Sequence, residues 1–273
     1  MVIKISRKVR VAVSLLIIFS VIFAGYFALR NHQKQAEASV SSKARFIGFP
    51  KMLFPPIDQS VVGWWKLNDA AGQTVVKDWT ANGNTGTSAN NILSATGYTG
   101  VANTAMSFNG TSDYVNLGSS ATLKPTSAIT LSAWVNTTSS VSGGIVASGN
   151  GNATGGYSLW VYVSRAFFAV HGSPDISLVG PIINTGQWVH LVGTYDDVAN
   201  QIVAYVNGAS IGLVTDSGGA ISYNTGNPLI GAMNTVFGNP GAFPFNGSIS
   251  DVRIYSRSLN AQEVKVLYMR GRP

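Results

Sequence analysis

The sequence predicts an all-β fold over residues 60–273, two antiparallel sheets packed face to face. Three observations predict it. From Val61 onward, apolar and polar residues alternate with a period of two, the spacing of a strand with one buried face. The runs are short, β-branched or aromatic, and separated by Gly, Asn, Ser and Asp. The chain has 30 glycines and is 45% apolar but only 11% charged, a composition that builds a core and many tight turns rather than a disordered segment.

Taken in order, the chain opens on Lys4, Arg7, Lys8 and Arg10, followed by an uncharged run of nineteen residues, VAVSLLIIFSVIFAGYFAL, at 11–29. As a helix rising about 1.5 Å per residue it spans about 28 Å, close to the bilayer core of about 30 Å. The basic flank predicts a cytoplasmic N-terminus and a remainder outside the membrane. Two readings of segment 1–30 stand side by side. One is a retained transmembrane anchor. The other is a secretory signal cleaved after Ala38, where Ala36-Glu37-Ala38 supplies small residues around the cut. Residues 31–59 are polar at first and then punctuated by Pro50, Pro55 and Pro56, which predicts a linker or stalk.

In the domain, ITLSAWVNT places Ile129, Leu131, Ala133 and Val135 on one strand face. YSLWVYV, AFFAVHG, QWVHLVGTYD and QIVAYVNG follow as further strands. Asn207-Gly208 predicts a hairpin, because this pair accepts the two positive φ values of a type I′ turn. Only SLNAQEVKVLY reads as a helix: Asn260 caps it, Glu263 returns the bond from three residues on, and Val264, Leu267 and Tyr268 share one face.

Charge limits function. Residues 1–59 carry nine Lys/Arg and two acids, whereas residues 60–273 carry nine of each. The net +7 of the chain therefore lies before the domain, and the domain has no basic footprint for nucleic acid. With no cysteine there is no disulfide, thiolate metal site or cysteine nucleophile.

The blocks VVGWWKLNDAAGQTVVKDWTANGNTGT, AMSFNGTSDYVNLG, ITLSAWVNT, GQWVHLVGTYDDVANQIVAYVNG and FNGSISDVRIYSRSLNAQEV occur in this order. Together they resemble the laminin-G-like, concanavalin A-like jelly-roll modules of bacterial surface proteins. The resemblance implies a jelly-roll sandwich with an extracellular binding role, and no single activity. Glycoside hydrolases built on the same sandwich resemble one another in an E-x-D-x-x-E strand motif. That motif is absent, and the single glutamate of the domain, Glu263, falls in the terminal helix. The expectation is a non-catalytic module that recognises carbohydrate or a surface protein. The alternative is a structural or adhesive envelope component with no small ligand.

Two sets of candidate residues emerge. DWTANGNTG (78–86) resembles the family's D-x-S-G-x-G-x-x-G stretch, which frames a structural calcium site, with Thr80-Ala81 in place of Ser-Gly. Calcium takes six to eight oxygens from carboxylates, amides and carbonyls. Asp78, Asn82 and Asn84 would supply them, joined by Asp251, which matches an acid of the family's late strand. The competing reading is that Asp78 caps a turn and Asp251 pairs with Arg253 or Lys77. For a sugar, flat rings in loops supply the apolar contact: Trp79, Tyr98, Tyr223, Phe237 and Phe243, with 233–247 as the candidate variable binding loop. Trp65, Trp134, Trp160, Trp188 and His190 lie in strand patterns and read as core.

Overall fold

The computed structural model describes residues 60–271 apart from 139–141, 150–154, 172–175, 184, 216–218, 224–225 and 235–239. The apolar run at 11–29, the stalk at 31–59 and Phe237 lie outside the described residues.

Eighteen strands and one C-terminal helix form among the described residues. The first sheet holds β1 (Val61–Trp65), β4 (Leu93–Ala95), β5 (Ala105–Asn109), β7 (Ala128–Thr137), β12 (Val189–Asp196), β13 (Gln201–Val206), β14 (Ala209–Thr215) and β18 (Asn246–Tyr255). Its order is β14-β13-β12-β7-β18-β5-β4, with β1 also on β18. The second sheet holds β2 (Val75–Val76), β3 (Gly86–Ala89), β6 (Tyr114–Asn116), β8 (Gly143–Ser148), β9 (Gly156–Tyr162), β10 (Arg165–His171), β11 (Ile176–Ile182) and β15 (Leu229–Ile230). Its order is β11-β10-β9-β8-β15-β6-β3-β2. A small hairpin joins β16 (Met233–Asn234) to β17 (Pro240–Ala242). The paired strands of both sheets are antiparallel throughout.

Alternation sorts the side chains as a half-buried strand demands. Ile129, Leu131, Ala133 and Val135 enter the layer between the sheets with Leu159, Phe168, Leu191, Ile249, Val252 and Ile254. Gly193 in β12 leaves the space that the Phe168 ring fills from the other sheet. The residues between them face outward on the first sheet. There Val192, Tyr205 and Tyr255 are covered by Leu259 and by Val264 and Leu267 of helix α1 (Ala261–Gly271).

The local signals in the sequence form as expected. Asn207 and Gly208 take φ values of 51° and 75° between β13 and β14. Glu263 N donates to Asn260 Oδ1 at 3.0 Å, and Asn260 N donates to Glu263 Oε2 at 2.9 Å, so the helix starts on a reciprocal cap. Arg257 adds two bonds to the same carboxylate, at 2.8 and 2.9 Å.

Candidate functional site

A cleft opens on the outer face of the first sheet because two strands share one edge of β18. β5 pairs with residues 246–249 of β18, and β1 pairs with residues 252–255. Between them β18 bulges: Ser250 faces Trp134 of β7, and Arg253, three residues on, faces Ser132, only two residues away along β7. Asp251 stands in the bulge at φ 53°, a backbone state that non-glycine residues seldom take. Ser250 Oγ donates to Thr104 O at 2.7 Å and Asp251 N to Lys66 O at 3.3 Å, which ties the ends of β5 and β1 to the bulge.

Adjacent tryptophans in β1 must point opposite ways. Trp65 enters the core and its indole N–H donates to Asn84 O at 2.9 Å. Trp64 turns outward, and its indole N–H donates to Asp251 Oδ1 at 2.6 Å. Asp251 also accepts from Arg253 Nε at 3.1 Å and from Arg253 Nη2 at 2.9 Å, a forked ion pair. The guanidinium carbon lies 4.5 Å from the centre of the Trp64 ring. Burial alone would lower the pKa of Arg253, but the Asp251 carboxylate and Tyr255 outweigh it, and the group stays charged.

Tyr98 closes the other side. Its ring stacks on Trp134 at 4.5 Å and meets the edge of Trp188 at 6.4 Å. Burial, and then the Asp251 charge, push its hydroxyl up to about 12, so it stays a donor at neutral pH. Trp64, Lys66, Asn68, Tyr98, Thr99, Asp251 and Arg253 line a cleft of about 190 Å³. A second hollow of about 150 Å³ shares Trp64, Tyr98, Asp251 and Arg253 and runs toward Leu267 and Arg270 of α1.

The Asp78 loop adjoins this cleft through β1. Asp78 Oδ1 accepts from the backbone N–H groups of Trp64 (3.0 Å) and Thr80 (2.9 Å). Asp78 Oδ2 accepts from Thr80 Oγ1 and Asn84 N, both at 2.8 Å. Asn82 and Asn84 both turn their amide N–H groups to Val62 O, at 3.1 and 2.8 Å. These are the bonds of a capped turn, and the Asp251–Arg253 pair is the ion pair of that same reading. Four donors therefore occupy the two oxygens of the Asp78 carboxylate. Among the described residues no three His, Asp or Glu side chains gather as metal ligands would.

Of the ring candidates, Tyr98 lines the cleft, and the other four separate. Trp79 is 42% exposed at the lip of the cleft, with Lys66 Nζ 3.5 Å and Lys77 Nζ 4.2 Å from its ring centre. Tyr223 is a packing residue: its hydroxyl donates to Pro125 O at 2.6 Å, its ring meets the edge of Tyr157, and burial raises its pKa. Phe243 lies with the other sheet, against Trp160, which also touches Tyr162 and Phe167. Phe237 lies outside the described residues.

His190 Nε2 lies 2.9 Å from Ser132 Oγ, the spacing of a nucleophile and its base. Both residues are about 1% exposed, and burial, then the Arg253 charge, lower the imidazole pKa to about 3. His190 Nδ1 is buried without a hydrogen-bond partner, so no carboxylate among the described residues orients the ring. Asp196 and Asp197 accept backbone N–H bonds at turns.

Sequence reasoning missed Trp64, Lys66 and Arg253 as site residues. The signal for Trp64 was present in the Trp64-Trp65 pair, because only one of two neighbours in a strand enters the core. The bulge that brings Asp251 beside Trp64 had no signal of its own.

A family model described as the Concanavalin A-like lectin/glucanases superfamily matches residues 109–265. No curated protein matches the chain by sequence. Among solved structures, the binding domain of Paraclostridial Mosquitocidal Protein 1 aligns with a TM-score of 0.62 at 13% identity, over 78% of this chain and 52% of that one. The chain thus spans about half the length of that structure. Domain 4 of AbnA, an extracellular arabinanase from Geobacillus stearothermophilus, solved with arabinotriose, aligns with a TM-score of 0.58 at 21% identity, over 77% of this chain and 98% of the domain. The CBM40 of Ruminococcus gnavus IT-sialidase, solved with α2,3 sialyllactose, gives a TM-score of 0.51 at 18% identity, over 60% and 96%. These likenesses establish the sandwich fold.

Proposed function

This chain belongs to the Concanavalin A-like lectin/glucanases superfamily, and on that premise we propose that it is a non-catalytic carbohydrate-recognition module working outside the membrane. The observation that carries the reading is the cleft over the β18 bulge. It brings a carboxylate, a guanidinium, an ammonium, an amide and a phenol together beside the rings of Trp64 and Tyr98. Sugars are recognised in this way: rings meet the C–H face, and charged or planar polar groups bond adjacent hydroxyls. A cleft this small takes one sugar unit and leaves the rest of a longer chain in solvent. The neighbours solved with arabinotriose and sialyllactose lend support.

A binding role is favoured over hydrolysis because Asp251, the carboxylate in the cleft, is held by Arg253 and Trp64. Glu263 is held by Arg257 and the helix cap, and the Ser132–His190 pair is buried. The segment at 11–29 would hold the domain at the membrane, or cleavage after Ala38 would release it. Extraction of cell membranes at alkaline pH separates the two, since only a retained anchor stays with the lipid.

The test is binding of the purified full chain to a panel of immobilised polysaccharides. We expect dissociation constants in the micromolar to millimolar range, about 4–8 kcal/mol. Trp64→Ala should weaken binding at least tenfold with the fold intact by circular dichroism. Silence across a broad panel, or unchanged binding by that variant, overturns the assignment. The alternative, an adhesive envelope component without a small ligand, is favoured by the exposed Tyr162, Val179 and Phe243 on the second sheet. It predicts instead that Tyr162→Ser and Phe243→Ser abolish cross-linking to a protein partner and leave Trp64→Ala silent.

A further inference from the structure

We infer that the glycan taken by the cleft is anionic, with its carboxylate or sulfate group seated between the ammonium groups of Lys66 and Lys77. The inference rests on the glycan-binding reading above and adds the ligand's charge. Three observations carry it.

The first is how the carboxylates beside the cleft are used. Asp78 accepts four bonds, and Asp251 is held by Arg253 and Trp64. Asp69 turns one oxygen to the backbone N–H of Lys77 and buries the other. Asp78 and Asp251 are themselves buried. The second is that neither Lys66 nor Lys77 has a carboxylate partner among the described residues. The third is that both ammonium groups lie over one exposed ring, Trp79. Laid end to end, their distances to the ring centre put the two nitrogens within roughly 8 Å of each other.

Two like charges held that close at a surface favour a bridging oxyanion, and the Trp79 ring keeps both side chains in place for it. Asp78 and Asp251 are buried and Lys77 is exposed, so an ammonium group rather than either of these carboxylates is what the lip presents to a ligand. Lys66 also lines the cleft. An oxyanion at the lip is therefore continuous with a sugar ring held between Trp64 and Tyr98.

The experiment compares polygalacturonate, dextran sulfate and neutral arabinan, using the full chain at low and high salt. The basic residues before the domain attract any polyanion, so the variants are made within the same chain. Lys66→Gln/Lys77→Gln removes the proposed pair. Lys124→Gln/Lys265→Gln removes the same charge elsewhere on the domain. We expect at least one acidic polymer to bind threefold or more tighter than arabinan. That preference should shrink between 0.05 and 0.5 M salt, vanish in the first variant and survive in the second. Carboxylate and sulfate are separated by which acidic polymer binds tighter. If arabinan binds as well as either polyanion, or the preference survives Lys66→Gln/Lys77→Gln, the anionic assignment falls while glycan binding stands. If no polysaccharide binds at all, both fall together.

Discussion

His190 shows how a single side chain sets the pH range in which this sandwich holds. Its imidazole is buried beside Ser132 and Trp134, and burial lowers its pKa from 6.5 to about 3. The unfolded chain takes up a proton on this residue near pH 6.5, and the folded chain does not. Stability is therefore fully present above pH 6.5, falls as the pH drops below it, and stops falling on this account near pH 3. The loss is about 1.4 kcal/mol per pH unit, so about 2 kcal/mol between pH 6.5 and 5. His190→Gln should flatten that part of the curve in urea melts at stepped pH. Equal slopes for variant and parent would show that His190 does not titrate on unfolding. The buried structural role of His190 was legible in QWVHLVGTY, because it alternates with Trp188 and Val192. Its two companions from other strands, Ser132 and Arg253, were not, since they meet it only through register.

At the scale of elements, the Asp78 turn joins β1 to the loop before β3 through one carboxylate. Four donors point at it, and this gives substitutions a definite order. Asp78→Ala loses all four bonds and leaves donors unsatisfied, at about 1–3 kcal/mol for each such group that water does not reach. Asp78→Asn should cost nearly as much, because its amide N–H₂ must face N–H or O–H donors. Thermal melts of both variants check this, and a near-silent Asp78→Asn would mean that the donors do not converge. The same geometry bears on calcium. A cation on Asp78 would displace those donors, so the melting temperature should agree within about 2 °C between millimolar calcium and chelator, less than roughly 1 kcal/mol for a domain this size. A rise of several degrees with calcium would establish a cation seat there. The residue types in DWTANGNTG fit both a turn and a metal loop. What separates them is which way the backbone N–H groups point, and composition does not encode that. The reciprocal Asn260–Glu263 cap and the Asn207-Gly208 hairpin were legible because each is decided within four residues.

Across the whole molecule, the last strand occupies the middle of the first sheet. β18 lies between β7 and β5 and also receives β1, the first strand of the domain. Its Ile249, Val252 and Ile254 are fully buried. The alternation of FNGSISDVRIY announced a strand, but its place beside the first strand is set by long-range pairing that alternation does not encode. Until residues 246–255 are available, β7 and β5 have open edges and the inter-sheet core lacks one wall, so partial chains gain little from burying what remains. A chain that must close such distant pairings folds slowly, on the millisecond-to-second scale. Two truncations test this. A chain ending at Phe245 should show no cooperative melt and should aggregate. A chain ending at Asn260 keeps β18 and loses only helix α1, which covers Val192, Tyr205 and Tyr255. Removing Val264 and Leu267 from that face costs about 1.5–3 kcal/mol for each side chain, so this shorter chain should melt cooperatively at a lower temperature. A cooperative melt in the Phe245 truncation would show that β18 is an accessory strand, and the cleft built on its bulge would then rest on an element the fold does not need.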